Sequence, residues 1–202
     1  MEQRIFKMKG AKIREAGDGK RYLEGYFAVF NEPYKVCDGW VETVAPGAFA
    51  RYLASGADTK VLWNHDTNLV LGSTANRTAA LHEDETGLFG SVEINEKDQD
   101  ALNVYARISR GDVDGCSFGF EIARQEEWWD GDDVYLTKIM EVDPLYEVSP
   151  CTFPAYTATS ISARSKKDLE TAKARRKEAE NLKKKEWREK MISRLKGEQN
   201  GT

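Results

Sequence analysis

Apolar and polar positions alternate over short stretches through most of this chain. Gly-, Asp- and Pro-rich turns separate them, a pattern that predicts many strands and few helices. Strand pieces are predicted at Ile5, Phe6 and Met8 and over Tyr22–Phe30, with Ala16-Gly17-Asp18-Gly19 as the turn of a β-hairpin. Val41–Val44 reads as a short strand. Pro46 fits the first turn of a helix running to about Leu53, and Gly56 lies just past its end. A strand over Lys60–Asp66 runs into a polar turn, followed by β pieces at 70–72 and 78–82, a turn at 83–87 and a strand over Leu88–Ile94. Ala101, Leu102, Tyr105 and Ile108 fall at helical spacing within a helix from about Asp98 to Ser109, which Gly111 closes. The last strands are predicted from Ser117, over Val134–Val142 and over Leu145–Phe153. Acidic residues 125–133 fit a hairpin tip, and Pro154 ends the pairing. Many short strands with two helices between them predict a mainly β, α+β fold: a small closed or nearly closed β-barrel with a few surrounding helices.

Beyond Arg164 the pattern changes. Lys166–Lys196 holds no Pro or Gly and is rich in helix formers, so a helix is predicted. Leu169, Ala172, Ala179 and Leu182 fall at heptad-like spacing until Glu186 and Glu189 interrupt it, which argues against a long coiled coil. The net charge of −4 divides along the same line: residues 164–202 carry 14 basic and 7 acidic residues, which leaves the remainder at −11. The chain therefore reads as one domain over 1–163 and a basic helical or disordered tail over 164–202.

Composition narrows the class further. With 40% hydrophobic and 10% aromatic residues, the chain supports a real core. No apolar run approaches the roughly 18 residues that span a membrane. The N-terminal residues lack a signal-peptide core, so a cytoplasmic site of action is expected. Cys37, Cys116 and Cys151 are dispersed and form no CxxC pair; they support neither a disulfide framework nor a zinc site, and no metal or cofactor is expected.

The candidate chemistry centres on Gly111–Phe120. Gly-Asp and Asp-Gly turn chemistry presents the start of a strand, and alternation puts Ser117 and Gly119 on one face with Phe118 and Phe120 on the other. A hydroxyl on a rigid strand suits a nucleophile, although an ordinary strand serine has the same pattern. Cys116, a rival by proximity, faces the other way, into the core. A serine nucleophile needs an imidazole to take its proton and a third group to fix the imidazole. His65 and His82 are the two histidines. His65 ends an apolar strand between Asn64 and Asp66, whereas His82 precedes an acidic turn and reads as solvated. Glu147 shares a strand face with Leu145 and Ser149, and Glu141, of the same parity, is the fallback carboxylate. Either glutamate also fits the wet face of a sheet.

These segments, in this order, resemble the tailed-phage prohead maturation protease family. Trp63-Asn64-His65-Asp66 with Leu71-Gly72, then Gly115–Phe120, then Glu147-Val148-Ser149 and Phe153-Pro154-Ala155-Tyr156 carry the likeness. Gly25–Asn31 and Val44–Phe49 are similar to its N-terminal blocks, so the likeness covers about residues 5–160. It implies a serine endopeptidase of herpesvirus-assemblin-like fold. Such an enzyme cleaves scaffold, or the scaffold-like segment of the major capsid protein, inside the assembling prohead in the host cytoplasm, and often itself. It also implies a homodimer or higher oligomer. His65 matches the family's base, Ser117 its nucleophile and Glu147 its third member. Where many relatives have Gly-Arg after the histidine motif, this chain has Gly72-Ser73, with Arg77 four residues later. The alternative is a non-catalytic capsid-assembly or scaffold-binding protein. Nucleic-acid binding through the tail is disfavoured by the −11 of the rest of the chain and by Trp187 as its lone aromatic.

Overall fold

The computed structural model describes residues 2–7, 9–17, 19–131, 133–152 and 159–199. Met8, Asp18 and the Phe153–Tyr156 segment, with the expected stop at Pro154, lie outside the described residues. The chain divides into two units, one of residues 1–36 and 40–156 and one of residues 37–39 and 157–202.

In chain order the strands are β1 (Glu2–Lys7), β2 (Lys9–Glu15), β3 (Arg21–Val29), β4 (Tyr34–Cys37), β5 (Trp40–Val44), β6 (Lys60–Trp63), β7 (Asp66–Ser73), β8 (Ala79–Glu83), β9 (Gly87–Glu93), β10 (Gly115–Trp129) and β11 (Tyr135–Cys151). The helices are α1 (Ala50–Ala54), α2 (Gln99–Arg110) and α3 (Thr159–Gln199). The fold is mixed α+β and mostly strand, as the alternation predicts. The strands make two sheets, however, and among the described residues no closed barrel forms. One sheet runs β1-β10-β11-β5-β4, with β6 joined to β11 and β7 to β6; the other runs β2-β3-β9-β8. Alternation reports that a strand has an inner face but not which edges meet, so it does not separate a closed sheet from two facing ones.

The sheets face each other across one apolar core. Phe118 and Phe120 on β10 stack at 4.6 Å, Phe49 meets Phe118 edge-on at 5.5 Å, and Leu23, Phe27, Leu88 and Val92 come from the second sheet. Burying each such side chain stabilises the fold by about 1.5–3 kcal/mol. The Cys116 thiol points into this core against the carbonyls of Tyr26 and Phe27, as its parity predicts. At Gly87 a Cβ would come 2.0 Å from the Ala28 carbonyl oxygen, so β9 lies too close to β3 there for any side chain.

Several element ends differ from the expected ones for local reasons. The helix expected from Pro46 begins at Ala50, because Gly47 sits at φ 85°, outside the right-handed region. α2 has the expected span: the Asp98 side chain accepts from the Asp100 and Ala101 N–H groups, and Gly111 caps the end at φ 82°. β10 and β11 form one long antiparallel pair, Gly115–Cys151 to Trp129–Tyr135. The two strands expected over Val134–Val142 and Leu145–Phe153 are one, β11, and Pro144 between them sits where the ladder is irregular, the setting in which a sheet accepts proline. In the second unit α3 is a single helix without an apolar stripe; Arg176–Glu180 and Lys173–Glu170 pairs one turn apart add a few tenths of a kcal/mol each. Among the described residues no helix is long and apolar enough to cross a membrane.

Candidate active site

The site is built on β11 and on the turns and strands at its two edges. On one edge β6 pairs with it in parallel, Lys60 opposite Glu147 and Val61 opposite Val148. On the other edge β10 pairs antiparallel, Ser117 opposite Ser149 and Gly119 opposite Glu147. Directly opposite residues share a sheet face, so Ser117, Ser149, Glu147 and Cys151 stand together, away from Phe118 and Phe120.

His65 reaches that face from a tight turn. β6 and β7 close on each other with Trp63 opposite Asp66, which leaves Asn64 and His65 as a two-residue hairpin loop. Both have positive φ, 52° and 62°, as a primed hairpin turn requires. That conformation, and not apolarity, ends β6 at Trp63 short of the expected Asp66. Asn64 ties the turn to the end of β11 and to Thr152 just past it through three bonds. Its N–H donates to the Pro150 carbonyl at 3.1 Å, its Oδ1 accepts from the Thr152 N–H at 2.9 Å, and its Nδ2 donates to Thr152 Oγ1 at 3.3 Å.

The ring that results is half-buried, and its Nδ1 lies 2.7 Å from Glu147 Oε1. Glu147 is nearly sealed, with 5% of its side chain exposed. A buried carboxylate at this distance favours the Nδ1–H tautomer and leaves the Nε2 lone pair free to accept a proton. The other carboxylate oxygen, Oε2, accepts from the Ser149 hydroxyl, and Ser149 Oγ in turn accepts from the His65 N–H at 3.3 Å. Nε2 faces Cys151 Sγ at 3.8 Å. Burial, and secondarily the Glu147 charge, push the Cys151 thiol up to about 12, so it is a neutral neighbour and not a thiolate.

Ser117 is wholly buried, and its Oγ has no hydrogen-bond partner among the described residues. An orphaned buried hydroxyl costs about 1–3 kcal/mol, which a purely structural position would avoid. The structure thus brings His65 and Glu147 into contact and sets Ser117 on the same face, across the ladder from Ser149, without a bond to the imidazole.

The remaining sequence candidates lie elsewhere. Glu141 pairs with Arg51 at 2.6 Å and approaches Arg124 at 4.0 Å. His82 is exposed on β8 against Phe89. Arg77 sits in the exposed turn between β7 and β8. Ser73 is buried, held by Asp58 at 2.7 Å and by Lys60 at 3.3 Å. Sequence reasoning missed Ser149, Cys151 and Asn64 as parts of the site. Parity with Glu147 points to the first two, and an Asn between two strand patterns is a hairpin signal for the third.

Comparison with known proteins gives the family. A profile of the caudovirus prohead serine protease family matches residues 9–175. The prohead protease of Enterobacteria phage HK97 is 32% identical over 156 residues, which are 75% of this chain and 64% of that protein; the chain thus spans less than two thirds of this relative's length. The capsid assembly protease of bacteriophage T4 has a similar solved structure, with a TM-score of 0.44 and 12% identity over 76% of this chain and all of the other. The family match runs unbroken from β2 through the His65 turn, β10 and β11, and the chain belongs to the caudovirus prohead serine protease family.

Proposed function

We propose that this chain is a serine endopeptidase of capsid maturation, which cleaves a scaffold protein or the scaffold-like segment of the major capsid protein inside the assembling prohead, and also itself. The observation that carries the reading is the buried, unbonded Ser117 hydroxyl on the face where Glu147 holds His65. Ser117 Oγ attacks the scissile carbonyl while His65 Nε2, swung from Cys151 to Ser117, takes its proton and returns it to the leaving amine. Glu147 orients the ring and stabilises its cation. Catalytic hydrogen bonds often tighten only with substrate bound, which suits the open Ser117–His65 arrangement seen here.

The finer implications of the family likeness belong to the same proposal. They are an assemblin-like kinship of the fold and a homodimer or higher oligomer; the division into a catalytic domain over 1–163 and a basic tail over 164–202, read from composition and charge, is proposed with them. The test is labelling by a serine-directed phosphonate with mass spectrometry of the chain. Wild type should be labelled at Ser117 and should cleave a capsid-protein or scaffold substrate. Ser117→Ala should lose both, and His65→Ala should lose about 10⁴-fold in rate. Wild-type cleavage that survives Ser117→Ala would remove Ser117 as nucleophile. Absence of both cleavage and labelling in the wild type would favour a non-catalytic assembly protein.

A further inference from the structure

Ser149 has no part in the proton transfers set out above, yet its hydroxyl touches the Glu147 carboxylate and the main-chain N–H of His65. Its side chain is wholly buried. Its Oγ accepts the His65 N–H at 3.3 Å and donates to Glu147 Oε2, while Glu147 Oε1 meets His65 Nδ1 at 2.7 Å. The three contacts form a closed ring through one hydroxyl, one carboxylate and one imidazole-bearing residue. We propose that Ser149 is a positioning residue, which acts through Glu147 and His65 and touches no atom of the substrate; the inference rests on the endopeptidase reading.

Two freedoms have to be removed for the imidazole to be useful, and Ser149 removes both. The first is rotation of the Glu147 carboxylate. Its cross-strand neighbour on β10 is Gly119, which has no side chain to brace it. The Lys60 ammonium, from the neighbouring position on β6, is paired with Asp58 instead. A donor on Oε2 fixes the plane of the carboxylate and so aims Oε1 at Nδ1. The second freedom is relaxation of the left-handed turn that carries His65. A bond from the His65 N–H to a wholly buried oxygen on β11 holds the turn against the strand. Ser149 also lies directly across from Ser117, so the hydroxyl that braces the base is referenced to the same rung of the ladder as the nucleophile. A displacement of about 1 Å in such a constellation can cost on the order of 100-fold in rate.

The experiment uses the full chain as wild type, Ser149→Ala and Ser149→Thr. It combines steady-state peptide cleavage with proton NMR of ¹⁵N-histidine-labelled protein; with two histidines in the chain, assignment is direct. Ser149→Ala should lower kcat by about 10- to 100-fold with KM within about twofold of wild type. It should also lose or broaden the low-field Nδ1 proton resonance of His65, and Ser149→Thr, which keeps the hydroxyl, should restore both. The proposal is overturned by a Ser149→Ala chain that keeps wild-type kcat. It is equally overturned by one that loses stability and rate while the resonance stays unchanged, or by a folded Ser149→Thr chain no better than alanine. An inactive wild type overturns the endopeptidase reading instead, and the resonance then decides on its own whether Ser149 holds the His65–Glu147 pair.

Discussion

His65 holds a backbone conformation that a histidine adopts only at a cost. At φ 62° in a two-residue hairpin turn it occupies a position where glycine is the usual residue, and the left-handed region costs a non-glycine residue about 1 kcal/mol. The position therefore favours glycine on backbone grounds and carries histidine for another reason, the contact with Glu147. Two variants separate these effects, since both remove the imidazole and leave Glu147 without it. His65→Gly should be more stable than His65→Ala by about 1 kcal/mol in urea unfolding, while both lose cleavage alike. Equal stabilities would show that the turn relaxes freely once the ring is gone.

The β6–β7 hairpin that presents His65 is itself clasped at its far end. Asp58 accepts from the Ser73 hydroxyl at 2.7 Å and the Ala75 N–H at 3.1 Å, and its other oxygen pairs with Lys60. The Lys60 ammonium first, then the Ser73 hydroxyl and the Ala75 N–H, hold the Asp58 carboxyl well below the usual carboxylate range. A carboxyl lowered in the folded state adds stability above its unfolded value of about 4 and loses it as pH falls below that. Wild type should thus exceed Asp58→Asn in urea midpoint at about pH 7, and the margin should shrink steadily below about pH 4. A margin that does not change with pH would mean that the clasp works through shape and not charge.

Element-level reading of the sequence succeeded where period and caps agree, as in α2 with Asp98 before it and Gly111 after it. It fell short where a long-range partner decides the outcome. The alternation reads as two strands, one ending at Val142 and one starting at Leu145, yet β11 runs through both because β10 on one side and β5 and β6 on the other hold it. The same limit explains the expected barrel, since pairing between strands distant in sequence leaves no mark on local alternation. At the site, residue types and order pointed to His65 and Glu147, but both Glu147 and Glu141 had the right parity. Only the three-dimensional neighbours differ: Arg51 for Glu141, and His65 for Glu147.

Across the whole molecule the site depends on a strand near the end of the matched region. His65 and Glu147 are 82 residues apart, and they meet only where β11, which carries Glu147, is paired in parallel with β6 and antiparallel with β10. Such non-local pairing forms late and cooperatively. Phosphonate labelling of Ser117 should therefore vanish at the same urea concentration as the far-ultraviolet strand signal; loss of labelling well before it would place the site in a separately melting part. The wiring of β11 also has a bearing on biosynthesis. A chain still on the ribosome, translated as far as Ser117, has its hydroxyl and its imidazole but no glutamate to orient the latter. On the endopeptidase reading, the capacity to cut arrives only once β11 has been made and paired, so production and action are separated in time by the order of the chain itself.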